Sequence, residues 1–200
     1  FLGQSTPEFP FTALLVSGGN TSLYLVEDIG AITLLGLSTD DAVGEAYDKV
    51  SKVLGLGYPG GPVIDRLARS AVTQETIFPM RIVTKSDPLN FSYSGLKTAV
   101  INHIHNHPDH DISATAWAFQ ESAVELLMSR LTAACEMTGT HDVVVAGGVA
   151  ANSRLRERLR EYAAESGRAV FIPDPVLCTD NAAMVAGLGF RYYERKKFAG

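Results

Sequence analysis

The chain has 200 residues, of which 46% are hydrophobic and 20% are charged, a composition typical of one folded soluble domain. No apolar run approaches the ~20 residues that cross a bilayer and no segment resembles a signal peptide, so we expect no membrane partner and a location in the cytoplasm or an organelle matrix. The net charge of −5 argues against a nucleic-acid binder that uses its whole surface, and two distant cysteines predict reduced thiols.

The first ten residues predict a linker. Residues 1–3 contain no initiator methionine, and residues 4–10 place two prolines among polar side chains. We expect residues 1–10 to lead from a missing N-terminal lobe into a C-terminal lobe at residues 11–200. The chain would then be the C-terminal portion of a longer protein.

The first two thirds of the chain predict a β-meander followed by helices. Asp40 or Asp41 is the expected cap of the first helix, and Pro62 is expected in the first turn of the second. Residues 74–90 look irregular. In chain order, the predicted elements are strands at 12–17, 22–27 and 31–37 and helices at about 41–54, 63–70, 95–103 and 113–137.

The last third alternates strands and helices. The predicted elements are strands at 142–146 and 169–172 and helices at 151–166 and 181–196. Such alternation implies parallel strands with right-handed crossovers. Together with the meander, this order predicts an α/β fold: a ribonuclease-H-like lobe of the actin-like ATPase (ASKHA) type, with a mixed sheet, flanking helices and a helical insertion around residues 40–140.

Two glycine pairs stand where this fold binds nucleotides. Gly18 and Gly19 join the first two strands, and glycine lets backbone amides converge on a phosphate oxygen. Gly147 and Gly148 lead from a strand into a helix, where actin-like folds hold the adenosine. A plain hairpin turn and a tight strand-to-helix turn remain the alternatives.

Several polar residues could serve either an ordinary role at a helix start or as a ligand contact, and the sequence does not decide between the two. Asn152 either caps its helix or contacts a ribose or base. Thr179 or Asp180 caps the last helix, or Asp180 ligates a metal ion at the cleft. Asp48 fits either the first-turn dipole of its helix or a ligand site. The glycine turn and helix start at 58–65 could wrap a ribose.

Three other patterns favour ordinary structure. A histidine run could suggest a metal site, but its asparagines and proline favour an exposed loop. The hydroxyl-rich segment 91–98 predicts a capped helix, with phosphate or RNA binding as the alternative. Basic residues on the last two helices favour solvated faces, with contact to nucleic-acid phosphates as the alternative at the C-terminus. The histidine run consists of His103, His105, His107 and His110. The basic residues are Arg154, Arg156, Arg158 and Arg160 on the first of these helices, and Arg191, Arg195, Lys196 and Lys197 at the C-terminus.

Five segments together closely resemble the TsaD (Gcp, Kae, Qri) family of tRNA threonylcarbamoyladenosine synthases. They are LLVSGGNTSLYLV, STDDAVGEAYDKVSKVLGLGYPGGPVIDRLA, FSYSGLKTAV, VVVAGGVAANSRLRERL and CTDNAAMVAGLG, in the family's order. The resemblance implies a metal-dependent acyltransferase that moves the threonylcarbamoyl group from threonylcarbamoyl-AMP to N6 of the adenosine following the anticodon in ANN-decoding tRNAs. The implied partners of a bacterial member are tRNA, a TsaB-like paralogue and a TsaE-like ATPase.

The resemblance also implies roles for particular residues. It implies no side-chain nucleophile, and no general base can be assigned. The implied positions are Leu15, Val16, Ser17, Gly18 and Gly19 around the phosphate and carbamoyl groups, Asp48, Gly61 and Asp65 at the ribose, Asn152 at the adenylate, and Asp180 as a ligand of iron(II) or zinc.

Two departures from the family pattern concern histidines. Asn20 stands where many bacterial members have histidine, although other branches carry asparagine. The family's H-x3-H pair precedes the first strand, and we expect no such pair within these residues. A single carboxylate, Asp180, binds a transition metal poorly, so we expect this chain alone to be inactive.

Two other functions remain open. A small-molecule kinase of the actin-like fold would use the same glycine turns for ATP and would need no tRNA. A non-catalytic paralogue would act as a scaffold through its helices, although such a protein has no need of the Asp48, Asn152 and Asp180 set.

Overall fold

The computed structural model describes residues 6–78 and 88–195. The described strands and α-helices follow one another in the order that the sequence predicts, and two short 3-10 helices are additional. They are β1 (Phe11–Val16), β2 (Thr21–Asp28), β3 (Ala31–Leu37), α1 (Val43–Val53), α2 (Gly60–Ser70), α3 (Ser94–Asn106), α4 (Ile112–Thr138), β4 (Asp142–Ala146), a 3-10 helix (Gly148–Ala151), α5 (Ser153–Ser166), β5 (Ala169–Phe171), a second 3-10 helix (Pro175–Leu177) and α6 (Ala182–Glu194).

The five described strands form one mixed sheet in the order β3-β2-β1-β4-β5. The first three strands are antiparallel, and β4 and β5 continue the sheet parallel to β1. Both the meander and the parallel pairing of the last third are therefore confirmed. Because β1 and β4 are parallel, with Leu15 opposite Ala146, their carboxyl ends reach the same edge of the sheet.

The long helix α4 passes through the core. Its apolar residues, among them Phe119, Leu127 and Leu131, are buried together with Leu14 of β1 and Val145 of β4. The Asp111 side chain accepts from the first free amides of the helix, and Gly139 ends it in the left-handed conformation, at φ 67°. The predicted central helix at 113–137 is confirmed.

Helix α1 begins without the predicted aspartate cap. Its N-cap residue is Ala42, and the Val43 amide donates instead to the Thr21 hydroxyl at 2.8 Å. Asp40 is turned to another helix, where it accepts from the Tyr93 amide at 2.8 Å. The prediction that Asp40 or Asp41 caps α1 is therefore wrong, because a threonine from a neighbouring strand satisfies the free amide.

Two helix boundaries differ from the predictions by three residues. Helix α2 already begins at Gly60, so Pro62 is its third residue. Helix α3 continues to Asn106 and includes His103 and His105, which were expected in an exposed loop. The irregular segment predicted at 74–90 includes residues 79–87, which lie outside the described residues. Lys196 and the end of the last predicted helix also lie outside them.

Helix α6 contacts the rest of the fold at few points. None of its residues is buried, and Val185 and Phe190 are more than half exposed. Arg195, just after the helix, forms an ion pair with Asp28 at the β2–β3 turn. None of the helices in the described part of the chain combines the length and apolarity that a membrane crossing requires.

Candidate functional site

The turn between β1 and β2 is exposed and is held by a serine. The Ser17 hydroxyl accepts from the amides of Gly19 at 3.3 Å and Asn20 at 3.0 Å. A Cβ atom placed on Gly18 or on Gly19 would meet no atom within 4 Å. The turn is therefore open to a ligand, and an anion that reached it would compete with the Ser17 hydroxyl for these two amides.

The start of α1 packs directly against this turn. The Gly44 amide donates to the Ser17 carbonyl at 3.2 Å. A Cβ on Gly44 would lie 2.7 Å from that carbonyl oxygen and 2.8 Å from Gly18 Cα, closer than real Cβ atoms approach backbone. Only glycine allows this approach. The glycine turn and the N-terminus of α1 thus form one unit.

The second glycine turn meets the first at the same edge of the sheet. Gly147 has φ 100°, and a Cβ there would lie 2.2 Å from the Val16 carbonyl oxygen. Gly148 begins the 3-10 helix, and a Cβ at this position would be in open space. The residues implied at the phosphate and those implied at the adenosine are therefore brought together by the parallel pairing of β1 and β4.

Asn152 is a helix cap with a second, buried contact. Its Oδ1 atom accepts from the Leu155 amide at 2.9 Å, and its Nδ2 atom donates to Gln120 Oε1 at 2.8 Å. The side chain is 9% exposed. Of the two roles left open by the sequence, the structure shows the cap; contact with an adenylate remains a prediction.

The two aspartates implied at the ribose each connect two helices. Asp48 of α1 accepts from the Gly60 amide at the start of α2 at 2.7 Å. Asp65 of α2 accepts from the Ser153 hydroxyl at the start of α5 at 2.6 Å. Each carboxylate keeps further lone pairs after these bonds. Gly61 lies at the same end of α2, with open space where a Cβ would be.

Asp180 is exposed and does not cap α6. The cap is Asn181, whose Oδ1 atom accepts from the Met184 amide at 3.1 Å, so the prediction that Thr179 or Asp180 caps the last helix is wrong by one or two residues. Over residues 6–78 and 88–195, no group of three or more His, Cys, Asp or Glu side chains could hold a metal ion. Asp180 alone does not fit a transition-metal centre.

An H-x3-H spacing does occur in the chain, at His103 and His107, so the expectation that none is present is wrong. The two rings stack with their centroids 4.6 Å apart, and His107 Nδ1 lies 3.0 Å from the His103 carbonyl oxygen. Burial, together with the neighbouring rings of His107 and His110, lowers the pKa of His103. This pair lies at the C-terminal end of α3, whereas Asp40 binds the other end of that helix.

The hydroxyl-rich segment at the start of α3 is held by two aspartates. Asp40 accepts from the hydroxyl of Ser92, and Lys97 forms an ion pair with Asp41. Burial opposes ionisation of Asp40, but hydrogen bonds from Ser92, Tyr93 and Ser94 outweigh it and hold the pKa of Asp40 below its ordinary value. The helix that the sequence favoured within residues 91–98 is present, but its own hydroxyls do not cap it: the N-cap residue is Tyr93, and its amide donates to Asp40 instead.

Three of the four arginines of α5 bind other groups of the protein. Arg154 forms a two-pronged pair with Glu121, at 2.6 and 2.9 Å, and hydrogen bonds from Arg154 are the main cause that lowers the pKa of Glu121. Arg158 contacts Glu121 at 3.2 Å. Arg156 donates to the carbonyls of Ala150 and Pro173, both at 3.0 Å, and so connects the second glycine turn to the segment that leads to Asp180.

Sequence reasoning overlooked Gln120. It is 3% exposed and accepts from both Asn152 and the Tyr47 hydroxyl, the latter at 3.4 Å. The signal was present, because position 120 is one helical turn from Ala116 and adjoins Phe119 on the predicted core face. A glutamine beside an apolar stripe needs a buried hydrogen-bond partner.

The fold is that of the actin-like ATPase class. A solved structure of full-length HypF in its phosphate- and nucleotide-bound form is similar, with a TM-score of 0.72 and 13% identity over 96% of this chain and 41% of that chain. The activator of 2-hydroxyisocaproyl-CoA dehydratase from Clostridium difficile, with bound ADPNP, gives a TM-score of 0.54 and 16% identity over 97% of this chain and 65% of that chain.

Sequence comparison then defines the family. The model of TsaD, tRNA N6-adenosine threonylcarbamoyltransferase, matches residues 1–187, and the chain belongs to this family. Proteins of that name from Syntrophus aciditrophicus and Geobacter sp. (strain M21) are 48% and 50% identical to it, each over 94% of this chain and 56% of the relative. The chain thus spans just over half the length of the curated relatives it matches.

Proposed function

We propose that this chain forms the nucleotide-binding part of a tRNA-modifying enzyme. The enzyme transfers the threonylcarbamoyl group from threonylcarbamoyl-AMP to N6 of the adenosine that follows the anticodon in ANN-decoding tRNAs. This step completes the modified nucleoside threonylcarbamoyladenosine (t6A). One observation carries the proposal: within a chain of the TsaD family, two glycine turns lie side by side at one edge of the sheet, and the first of them is open.

The proposed substrate contacts follow from the hydrogen bonds that the chain leaves available. The phosphate and carbamoyl groups would lie against residues 15–19, where the amides of Gly19 and Asn20 exchange the Ser17 hydroxyl for an anionic oxygen. The carboxylates of Asp48 and Asp65 hold helix starts and would accept ribose hydroxyls with their remaining lone pairs. Gly61 leaves room for the sugar at the start of α2.

The chemistry is an acyl transfer. The N6 amine of the tRNA adenosine attacks the carbamoyl carbon, N6 gives up a proton, and AMP leaves with the electron pair of the broken carbon–oxygen bond. Backbone amides at the first turn would stabilise the negative charge that develops on the carbonyl oxygen. No described side chain is assigned as the base that accepts the N6 proton.

The proposal includes a divalent ion, iron(II) or zinc, with Asp180 as one ligand and the others from outside the described residues. When bound, such an ion would act as a Lewis acid. The proposed partners are tRNA and, for a bacterial protein, a TsaB-like paralogue and a TsaE-like ATPase. The proposed location is the cytoplasm or an organelle matrix.

The test is product formation by a protein that carries these residues within the full length of its relatives. It is incubated with the partner proteins, threonylcarbamoyl-AMP and unmodified ANN-decoding tRNA, and threonylcarbamoyladenosine is measured by nucleoside mass spectrometry. We expect product from that protein and none from the 200-residue chain alone. Phosphate transfer from ATP without tRNA would support the kinase instead. Absence of both products would support the scaffold.

A further inference from the structure

Four hydrogen-bonded links form a closed ring that joins α1, α2, the start of α5 and α4. Asp48 ties α1 to the start of α2, and Asp65 ties α2 to the start of α5. Asn152, just before α5, donates to Gln120 of α4, and Gln120 accepts from Tyr47 of α1. Three members of the ring are residues implied at the substrate. Gln120 is the member that belongs to none of the sequence motifs.

The orientation of the Asn152 amide is fixed by this arrangement. Its Oδ1 atom must face the Leu155 amide, because a backbone N–H can only donate. Its Nδ2 group therefore faces Gln120, which has to present its own oxygen. The Tyr47 hydroxyl reaches the same Gln120 oxygen, so that both donors favour one orientation of the glutamine amide.

Burial makes these side-chain hydrogen bonds hard to replace. Gln120 is 3% exposed, Tyr47 is 2% exposed and Asn152 is 9% exposed, so water is a poor substitute for a lost partner. Without the Gln120 oxygen, the Asn152 amide would lose its 2.8 Å hydrogen bond and keep only the neighbouring Tyr47 hydroxyl as a buried side-chain acceptor. The Tyr47 hydroxyl would lose its own acceptor at the same time, so neither group would be held as firmly.

We propose that Gln120 is a positioning residue that holds the Asn152 amide in the orientation in which it meets the adenylate. This inference rests on the proposed function, because it takes Asn152 as an adenylate contact. Gln120 acts through Asn152 and makes no contact with the substrate. Its loss therefore weakens nucleotide binding only as long as Asn152 is present.

A double-mutant cycle tests this proposal in a protein that carries these residues within the full length of its relatives, with AMP as the probe and calorimetry as the readout. Gln120→Met keeps the volume and removes the acceptor, whereas Asn152→Ser keeps a capping oxygen and removes the amide. We expect Gln120→Met to weaken AMP binding by about 5- to 15-fold alone and by less than about 2-fold in the Asn152→Ser background.

Two further variants separate positioning from loss of fold. Ser122→Ala removes a buried hydrogen bond of 2.6 Å to the Phe78 carbonyl, on the same helix but outside the ring. It is expected to lower thermal stability and leave AMP affinity unchanged. Gln120→Glu keeps an oxygen that accepts from both donors and is expected to retain most of the affinity. It also carries the test if Gln120→Met fails to fold.

Turnover gives an independent readout. We expect Gln120→Met to raise KM for threonylcarbamoyl-AMP with little change in kcat, because the contact it supports binds ground state and transition state alike.

Several results would overturn the inference. They are unchanged AMP affinity in Gln120→Met, an equal loss in both backgrounds, an equal loss in Ser122→Ala, and a loss in Gln120→Glu as large as that in Asn152→Ser. If Asn152→Ser alone leaves AMP affinity unchanged, the proposed role of Asn152 fails and the inference fails with it. If Asn152→Ser weakens binding and Gln120→Met does not, only the inference about Gln120 fails.

Discussion

Replacing Gly147 with alanine would strain the junction between the two glycine turns. The residue has φ 100°, a conformation that costs a non-glycine residue about 1–3 kcal/mol. The new Cβ would also lie 2.2 Å from the Val16 carbonyl oxygen, so the end of β1 must move away. Overpacking of this kind costs about 1–3 kcal/mol. The expected loss in the free energy of unfolding is therefore about 2–6 kcal/mol.

The assay is urea unfolding with Gly148→Ala as the matched control. The neighbouring Gly148 has open space where a Cβ would be, and its alanine variant should change the free energy of unfolding by less than about 1 kcal/mol. A folded Gly147→Ala protein should also bind AMP more weakly, because Val16 leads into the first turn. A loss in Gly147→Ala no larger than that in Gly148→Ala would refute the reasoning.

Three further changes test the contacts that hold the site. Arg156→Met removes two charge-assisted hydrogen bonds to backbone carbonyls, so we expect the free energy of unfolding in urea to fall by about 2–3 kcal/mol. A decrease below about 0.5 kcal/mol would contradict a stabilising role for those bonds. Ser153→Ala removes the hydroxyl that donates to Asp65, with an expected loss of about 1–2 kcal/mol in the same assay, and an unchanged midpoint would count against the link. Arg154 lowers the pKa of Glu121 in the folded protein, so the stabilisation from ionised Glu121 is present above its ordinary pKa of about 4.3 and is lost as pH falls through the lower folded value. Glu121→Gln should flatten the acid side of the stability-versus-pH curve, and a curve of unchanged slope would contradict this.

The sequence predicted best the features that depend on local spacing of apolar residues or on the conformation of a single glycine. The meander and the long core helix follow from the spacing of apolar residues, and Gly147 follows from its place between a strand and a helix. Caps that come from distant residues could not be predicted in this way. Asp40 binds a helix start 53 residues later, and Ser153 meets Asp65 across 88 residues, so both contacts depend on how the helices pack.

The histidine run shows how packing can override local propensity. Asn102 and Asn106 weaken a helix and Pro108 ends one, which favoured a loop. In the folded chain, α3 continues to Asn106, and the ring of Phe78 packs edge-on against His103 with 5.5 Å between centroids. A contact from outside the segment thus accompanies the extra turn of helix, and no pattern within the segment could reveal it.

The most direct test of the account is hydrogen exchange of the two glycine turns, measured by mass spectrometry with and without a non-hydrolysable analogue of threonylcarbamoyl-AMP. We expect slower amide exchange at 17–20 and 147–152 when the analogue binds, and unchanged exchange at residues 103–110, around the C-terminal end of α3. Saturating binding without protection at either turn would contradict the claim that these turns hold the adenylate.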